Sequence, residues 1–321
     1  MYRLITILAV LLILGVPGTA YAQESAEGVI NGQVINGTED GSSVAGIEVT
    51  LATYIDDVLA ETRTAETDEE GKFQFDNVVI EHQYLLYARY MDVGYYYPAV
   101  FDPGETTTYV EVGVCDATNS DEAIRVGLSH IIINVEEENL LVNEVFWLVN
   151  DGDRTYVGTE GVLVFTLPEG ATSFEAPEEL MPDYEFLDDN RVTYLVPFPP
   201  GERQLVHSYR LARPDSKGLT IPFEIDYPTD SLELMVAGED IEVTVSQLAP
   251  ADPVITDTGE RFIHFRGENL PRDTVIDFHL SLMSGTSNVF FMVLWVIIGV
   301  AVVGTAVYIV MKRAKRENAG E

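Results

Sequence analysis

The chain has 321 residues, 46% of them hydrophobic, with 53 acidic against 18 basic side chains and a formal charge of −35 at neutral pH. A surface that acidic repels phosphate backbones and anionic headgroups, which excludes nucleic acid and anionic lipid as partners. Cys115 is the only cysteine, so no intramolecular disulfide forms and each domain must rest on its hydrophobic core.

The first predicted element is a secretory signal peptide over residues 1–22. Arg3 precedes an apolar stretch from Leu4 to Val16, and Ala20-Tyr21-Ala22 supplies a small-x-small cleavage pattern. About 13 apolar residues are too few to cross a bilayer as a helix. From Gly28 onward the chain reads as short strands. Val29–Ile35 is followed by a polar turn, Asn36–Ser43, which contains the sequon Asn36-Gly37-Thr38. Gly46–Leu51 alternates apolar and polar side chains, as a half-buried strand does. Thr62–Thr67 runs into Asp68-Glu69-Glu70-Gly71, and Lys72–Phe75 leaves it. An acidic turn closed by glycine between two such runs predicts a hairpin, with Gly71 at positive φ.

These segments carry a resemblance. Gly32-Gln33-Val34, then Val44–Leu51, then Thr67-Asp68-Glu69-Glu70-Gly71-Lys72-Phe73-Gln74-Phe75 resembles the carboxypeptidase regulatory-like domain, a family similar in fold to transthyretin and to Cna-B modules. The resemblance covers about residues 28–118. It implies a seven- or eight-stranded β-sandwich with a structural or binding role and no catalytic residues of its own. The intramolecular isopeptide of Cna-B modules needs a lysine on the first strand. Lys72, the only lysine of this segment, lies in the hairpin instead, so that bond is not expected.

Tyr84, Tyr87, Tyr90, Tyr95, Tyr96, Tyr97 and Phe101 follow. Tyr84, Leu86 and Tyr90 are expected to point inward, whereas three consecutive tyrosines from Tyr95 to Tyr97 force at least one outward. Outward tyrosines offer a ligand surface for a peptide or glycan, and core filling is the alternative. Cys115, after Val112-Gly113-Val114, reads as a buried structural thiol, with an intermolecular bridge as the alternative.

Asp116–Asp121 reads as a linker into a second β-sandwich domain over 119–287. Strands are expected at Ile131–Val135, Leu140–Leu148, Gly161–Leu167, Arg191–Val196, Glu202–Leu211, Thr220–Ile225, Leu232–Val236, Ile241–Leu248, Phe262–Phe265 and Thr274–Leu282. Leu141–Val149 is expected to alternate with period two over much of its length, and Pro197, Pro199 and Pro200 break one strand before Gly201. Asn150-Asp151-Gly152-Asp153 places several oxygens within four residues. Asp151 and Asp153 are candidate calcium ligands, but hairpin chemistry explains them equally and the EF-hand spacing is missing.

Val289–Met311 is apolar for roughly 23 residues, about 34 Å as a helix and enough to span a bilayer. Lys312, Arg313, Lys315 and Arg316 follow at once, which sets a cytoplasmic C-terminus and an external N-terminus. The transmembrane helix is thus expected over 288–311, with a basic tail over 312–321. Ala301 and Thr305 form a small-xxx-small pair that allows a homodimer through the span.

Between residues 23 and 287 lie 51 acidic and 13 basic residues, about −38. Salt adaptation or plain hydration accounts for such an excess, with a divalent cation or a basic partner as the other reading. The five histidines fall in no zinc motif, and G-x-S-x-G, P-loop and G-x-G-x-x-G patterns are all missing. The expectation is an all-β protein of two tandem extracytoplasmic sandwiches on one transmembrane helix, non-enzymatic and without a cofactor. Its function is expected to be binding a protein, peptide or glycan outside the cell membrane; an accessory subunit of an export or cofactor-biogenesis complex is the alternative.

Overall fold

A computed structural model describes residues 26–188, 190–213, 218–237 and 241–282. The expected signal peptide, the span Val289–Met311 and the cations Lys312, Arg313, Lys315 and Arg316 lie outside the described residues. Among the described residues no helix is long and apolar enough to cross a membrane. Apart from a 3-10 turn at Met181–Asp183, every regular element among the described residues is a strand. The fold is all-β, and the chain divides into two compact units. One comprises the described residues up to Asn36 with Ser43–Val114. The other comprises Gly37–Ser42 with the described residues from Cys115 onward.

The first unit is a seven-stranded β-sandwich of β1 (Glu27–Asn36), β2 (Glu48–Ile55), β3 (Val58–Glu66), β4 (Lys72–Val79), β5 (Gln83–Tyr90), β6 (Val93–Ala99) and β7 (Thr107–Val114). One sheet has the order β4-β1-β7 and the other β3-β2-β5-β6. Period-two alternation sets the inner face. On β5, Tyr84, Leu86, Ala88 and Tyr90 are buried, while Leu85, Tyr87 and Arg89 face outward. Ile30, Val34, Val49, Leu51, Phe73 and Phe75 join them, each full burial of such a side chain contributing about 1.5–3 kcal/mol. The β2–β3 and β5–β6 hairpins close through Asp56-Asp57 and Met91-Asp92. All four residues have positive φ, the I′ geometry whose twist matches that of paired strands.

The expected hairpin at Asp68–Gly71 is a turn of a different kind. Strand β3 pairs with β2 and β4 pairs with β1, so this turn carries the chain from one sheet to the other. Asp68 Oδ1 accepts the N–H groups of Glu70 (2.9 Å) and Lys72 (2.8 Å), which lets the turn form without a β3–β4 ladder. Gly71 has φ +79°, and a Cβ there would sit 2.4 Å from the carbonyl oxygen of Val34. Lys72 forms a surface ion pair with Glu70.

The second unit contains β8 (Ala117–Thr118), β9 (Ile124–Val135), β10 (Asn139–Asn150), β11 (Thr155–Tyr156), β12 (Leu163–Thr166), β13 (Thr172–Glu175), β14 (Tyr184–Phe186), β15 (Arg191–Tyr194), β16 (Gly201–Ala212), β17 (Leu219–Glu224), β18 (Thr229–Ala237), β19 (Ile241–Val245), β20 (Ala249–Ile255), β21 (Arg261–Leu270) and β22 (Val275–Leu282). A seven-stranded sheet, β13-β16-β10-β9-β18-β21-β20, is its frame. Within that sheet β18 runs parallel to β9. Three-stranded sheets β12-β15-β14 and β17-β22-β19 contribute to one continuous core reaching from Ile124 to Leu280. Strand β10 departs from the expected alternation. Leu140 through Val145 are all buried, because this central strand is covered on both faces.

The expected linker is built into this unit. Asp116 is buried, and its carboxylate accepts the Ser42 N–H at 3.2 Å and pairs with Arg154 at 3.3 Å. Its own N–H donates to Thr38 Oγ1 at 2.9 Å. Polarity there serves internal hydrogen bonds rather than solvent. Cys115 is half-buried rather than buried, since β7 has ended one residue before it, and burial pushes its thiol pKa up.

Candidate functional site

Alternation on β2, β5 and β6 decides which aromatic side chains of the first unit can meet a ligand. Tyr84, Tyr90 and Tyr95 are buried; Tyr97 is half-buried, its hydroxyl donating to Gly113 O at 2.9 Å. Tyr87 and Tyr96 oppose each other on the outer face with ring centroids 4.9 Å apart, and Tyr96 is 64% exposed. Leu85 lies opposite Pro98 on one side and Ala52 on the other, which extends this pair into an apolar stripe across three strands. Of the six tyrosines singled out in the sequence, Tyr87 and Tyr96 are therefore the two presented outward as a pair.

The stripe ends in an open depression of about 570 Å³, lined by Tyr54, Asp57, His82, Tyr84, Val100 and Phe101 among others. Tyr84 and Phe101 meet edge-on at 6.3 Å, and the Tyr84 hydroxyl donates to Val79 O at 2.8 Å. Burial raises the Tyr84 pKa, against that hydrogen bond and the charge of Arg63. Val100 is 71% exposed. The volume falls within the roughly 300–1,000 Å³ of small-ligand pockets. Tyr54 and Val100 escape a search for aromatic runs, because one is isolated in sequence and the other aliphatic; only the sheet register brings them beside Tyr84.

In the second unit Asp151 and Asp153 have other partners. Arg125 bridges Asp151 and Asp230. Asp153 Oδ2 accepts the Glu39 N–H at 2.8 Å, and its carbonyl accepts Thr38 Oγ1 at 2.9 Å. Just before them, Asn150 Oδ1 accepts the Gly152 N–H at 3.0 Å, the self-bonding of an Asx turn. Among the described residues no three His, Cys, Asp or Glu side chains converge on a metal position.

A buried polar cluster lies between β10 and β16. Glu144 stands opposite His207 in the ladder, with His207 Nε2 at 2.8 Å from Glu144 Oε2, and Tyr209 donates to Glu144 Oε1 at 3.1 Å. Phe146, Phe165, Phe174 and Tyr184 ring the imidazole at centroid distances of 5.2 to 6.2 Å. Burial, reinforced by Glu144, drives the Tyr209 phenol pKa far upward. Asp226 accepts both the Thr166 N–H (2.9 Å) and the Thr166 hydroxyl (2.7 Å), yet burial outweighs these bonds and pushes its carboxyl up to about 6. Glu144, Asp226 and the buried Ser129 line a cavity of about 30 Å³, room for one or two waters and for no organic substrate. The sequence signal for this cluster was a lone acid in an apolar strand; its partner on β16 depends on a register that no local pattern encodes.

Fold and surface thus define an all-β protein of two units, with an apolar aromatic face on the first. No protein-family model matches the chain, and no curated protein matches it in sequence. Among solved structures it overlaps a candidate protease from Parabacteroides distasonis at 9% identity and TM-score 0.33, covering 51% of this chain and 41% of that one. A two-domain M1 zinc metallopeptidase bound to L-tryptophan overlaps at 10% identity and TM-score 0.29, covering 50% and 43%. The full-length major pilin SpaD of Corynebacterium diphtheriae overlaps at 11% identity and TM-score 0.24, covering 79% and 81%. The chain spans less than half the length of the first two. Overlaps of this size carry no argument about activity.

Proposed function

We propose that this chain is a non-catalytic binding protein, held outside the cell membrane by its C-terminal span, whose first unit is a carboxypeptidase regulatory-like module. The observation that carries the reading is the outer face of that unit, where Tyr87, Tyr96, Leu85 and Pro98 lead into a depression of about 570 Å³. Contiguous exposed apolar surface of this kind marks interaction sites on soluble domains. The signal-like N-terminus, the apolar stretch Val289–Met311 and the basic residues after it support the anchored topology. Affinity capture of tagged full-length chain from native membranes, with mass spectrometry of what is retained, tests it. Retention of an external protein or glycoprotein is expected. Stoichiometric retention of polytopic membrane proteins would make the chain an accessory subunit instead, and a hydrolase activity in the purified chain would overturn the non-catalytic reading.

A further inference from the structure

Resting on that reading, we propose that the outer face of the β3-β2-β5-β6 sheet docks an extended segment of a partner protein in which apolar side chains alternate with lysine or arginine. The apolar half of the recognition is the stripe from Tyr87 and Tyr96 through Leu85 and Pro98 to Tyr54 and Val100. Tyr96, Pro98 and Val100 are two residues apart, all exposed, in and just beyond β6. A second extended chain presents its own one-face side chains at the same spacing, so the two patterns match residue for residue.

Charge selects the rest of the partner. The described part of the first unit holds fifteen acidic residues against Arg63, Lys72 and Arg89, a net charge of −12. The depression is rimmed by Asp57, with Asp56 beside it in the hairpin turn and Glu81 beside His82. Glu61 and Glu81 are both close enough to Tyr84 to act on its hydroxyl. A second copy of this unit would set −12 against −12, and an anionic membrane would be repelled in the same way. A cationic segment gains on both counts. Its lysine or arginine side chains leave the segment on the side away from the sheet, and their long flexible stems carry the charge round its edges toward the rim carboxylates.

The test uses the full-length chain in detergent micelles and a fluorescein-labelled nine-residue peptide alternating lysine with valine, isoleucine and phenylalanine. Fluorescence anisotropy should give micromolar binding that weakens about tenfold between 50 and 300 mM salt. Binding should fall at least tenfold in Tyr96→Ser with Val100→Gln, both at exposed positions that leave the core intact, as far-UV circular dichroism would verify. It should fall similarly in Asp57→Lys with Glu81→Lys. Charge reversal at Glu69 and Glu70, at the other end of β3, should change it less than twofold, and a scrambled peptide with its lysines in one block should bind at least fivefold more weakly. Equal binding of a glutamate-for-lysine peptide, or indifference to the face variants, would overturn the proposal. Salt-independent displacement of the peptide by maltoheptaose would overturn it in favour of a glycan. If native-membrane capture retains a partner equally well with the Tyr96→Ser, Val100→Gln variant, the binding-protein reading stands and this docking face falls. If capture retains nothing and the peptide fails to bind, both fall.

Discussion

Removing the hydroxyl of Tyr209 isolates the buried cluster of the second unit. Tyr209 is fully buried and its hydroxyl donates to Glu144 Oε1 at 3.1 Å, the other carboxyl oxygen being met by His207. Tyr209→Phe keeps the ring in place and strips one buried acceptor of its donor, a loss of about 1–3 kcal/mol. Tyr184→Phe is the matched comparison. Its hydroxyl is buried but meets no hydrogen-bond partner among the described residues, so removing it relieves a desolvated group. That change should be neutral or stabilising by up to about 1 kcal/mol. Urea unfolding followed by Trp147 fluorescence, in a Trp295→Phe background, reads the second unit directly, since Trp147 is three residues from Glu144 on β10. With a slope of about 2 kcal/mol per molar urea, Tyr209→Phe should lower the midpoint by roughly 0.5–1.5 M. A midpoint within about 0.2 M of the parent, or an equal drop for Tyr184→Phe, would refute the argument that Glu144 needs this donor.

Three further outcomes are expected. Asp226 holds its proton more tightly in the folded chain, its pKa rising from 3.8 to about 6, so its contribution to stability declines as pH rises from about 4 to 6 and is flat above. Asp226→Asn should therefore gain up to about 3 kcal/mol over the parent at pH 7 and lose that advantage by pH 4 in paired denaturation curves. A gain that grew on acidification would reverse the sign and sink the assignment. Gly71→Ala combines a left-handed backbone with a 2.4 Å approach to Val34 O and should destabilise the first unit by more than about 1 kcal/mol in thermal circular dichroism; an unchanged transition would show that the turn can re-form. Calcium at millimolar concentration should leave the melting temperature of the second unit unchanged, because Asp151 engages Arg125 and Asp153 caps Glu39. A rise of several degrees would place a cation there after all.

The long strands were legible because their alternation or apolar density is local. The expected Glu202–Leu211 and Leu232–Val236 lie inside β16 and β18, and Pro197, Pro199 and Pro200 separate β15 from β16. Strand β20 was not: Ala249–Ile255 carries Pro250 and Pro253, which an edge strand tolerates but which local alternation does not suggest. Reading Asp68–Gly71 as a hairpin was correct about the positive φ of Gly71 and wrong about pairing, since turn residues constrain dihedral angles and not which strand sits alongside. Three tyrosines in succession required at least one to point outward, and the structure makes that one Tyr96. Its partnership with Tyr87, and the arrival of Tyr54 and Val100 nearby, needed the β5–β6 and β2–β5 registers. The Glu144–His207–Tyr209 contact needed the register of two strands more than sixty residues apart.

The parallel pairing of β9 with β18 sets an order of assembly. Strand β9 finds β10 through a short antiparallel hairpin, but its other neighbour places Leu234 opposite Ile131, about a hundred residues later. Closing that loop costs chain entropy before any contact rewards it, which raises contact order and slows folding. At a synthesis rate of about 5–20 residues per second, one edge of Ile131-Ile132-Ile133 stays unpaired for roughly 5–20 seconds in the growing chain. An apolar edge bare for that long is a template for the wrong strand. The middle of this sheet is therefore the place most open to mispairing until β18, the strand that seals it, has been made.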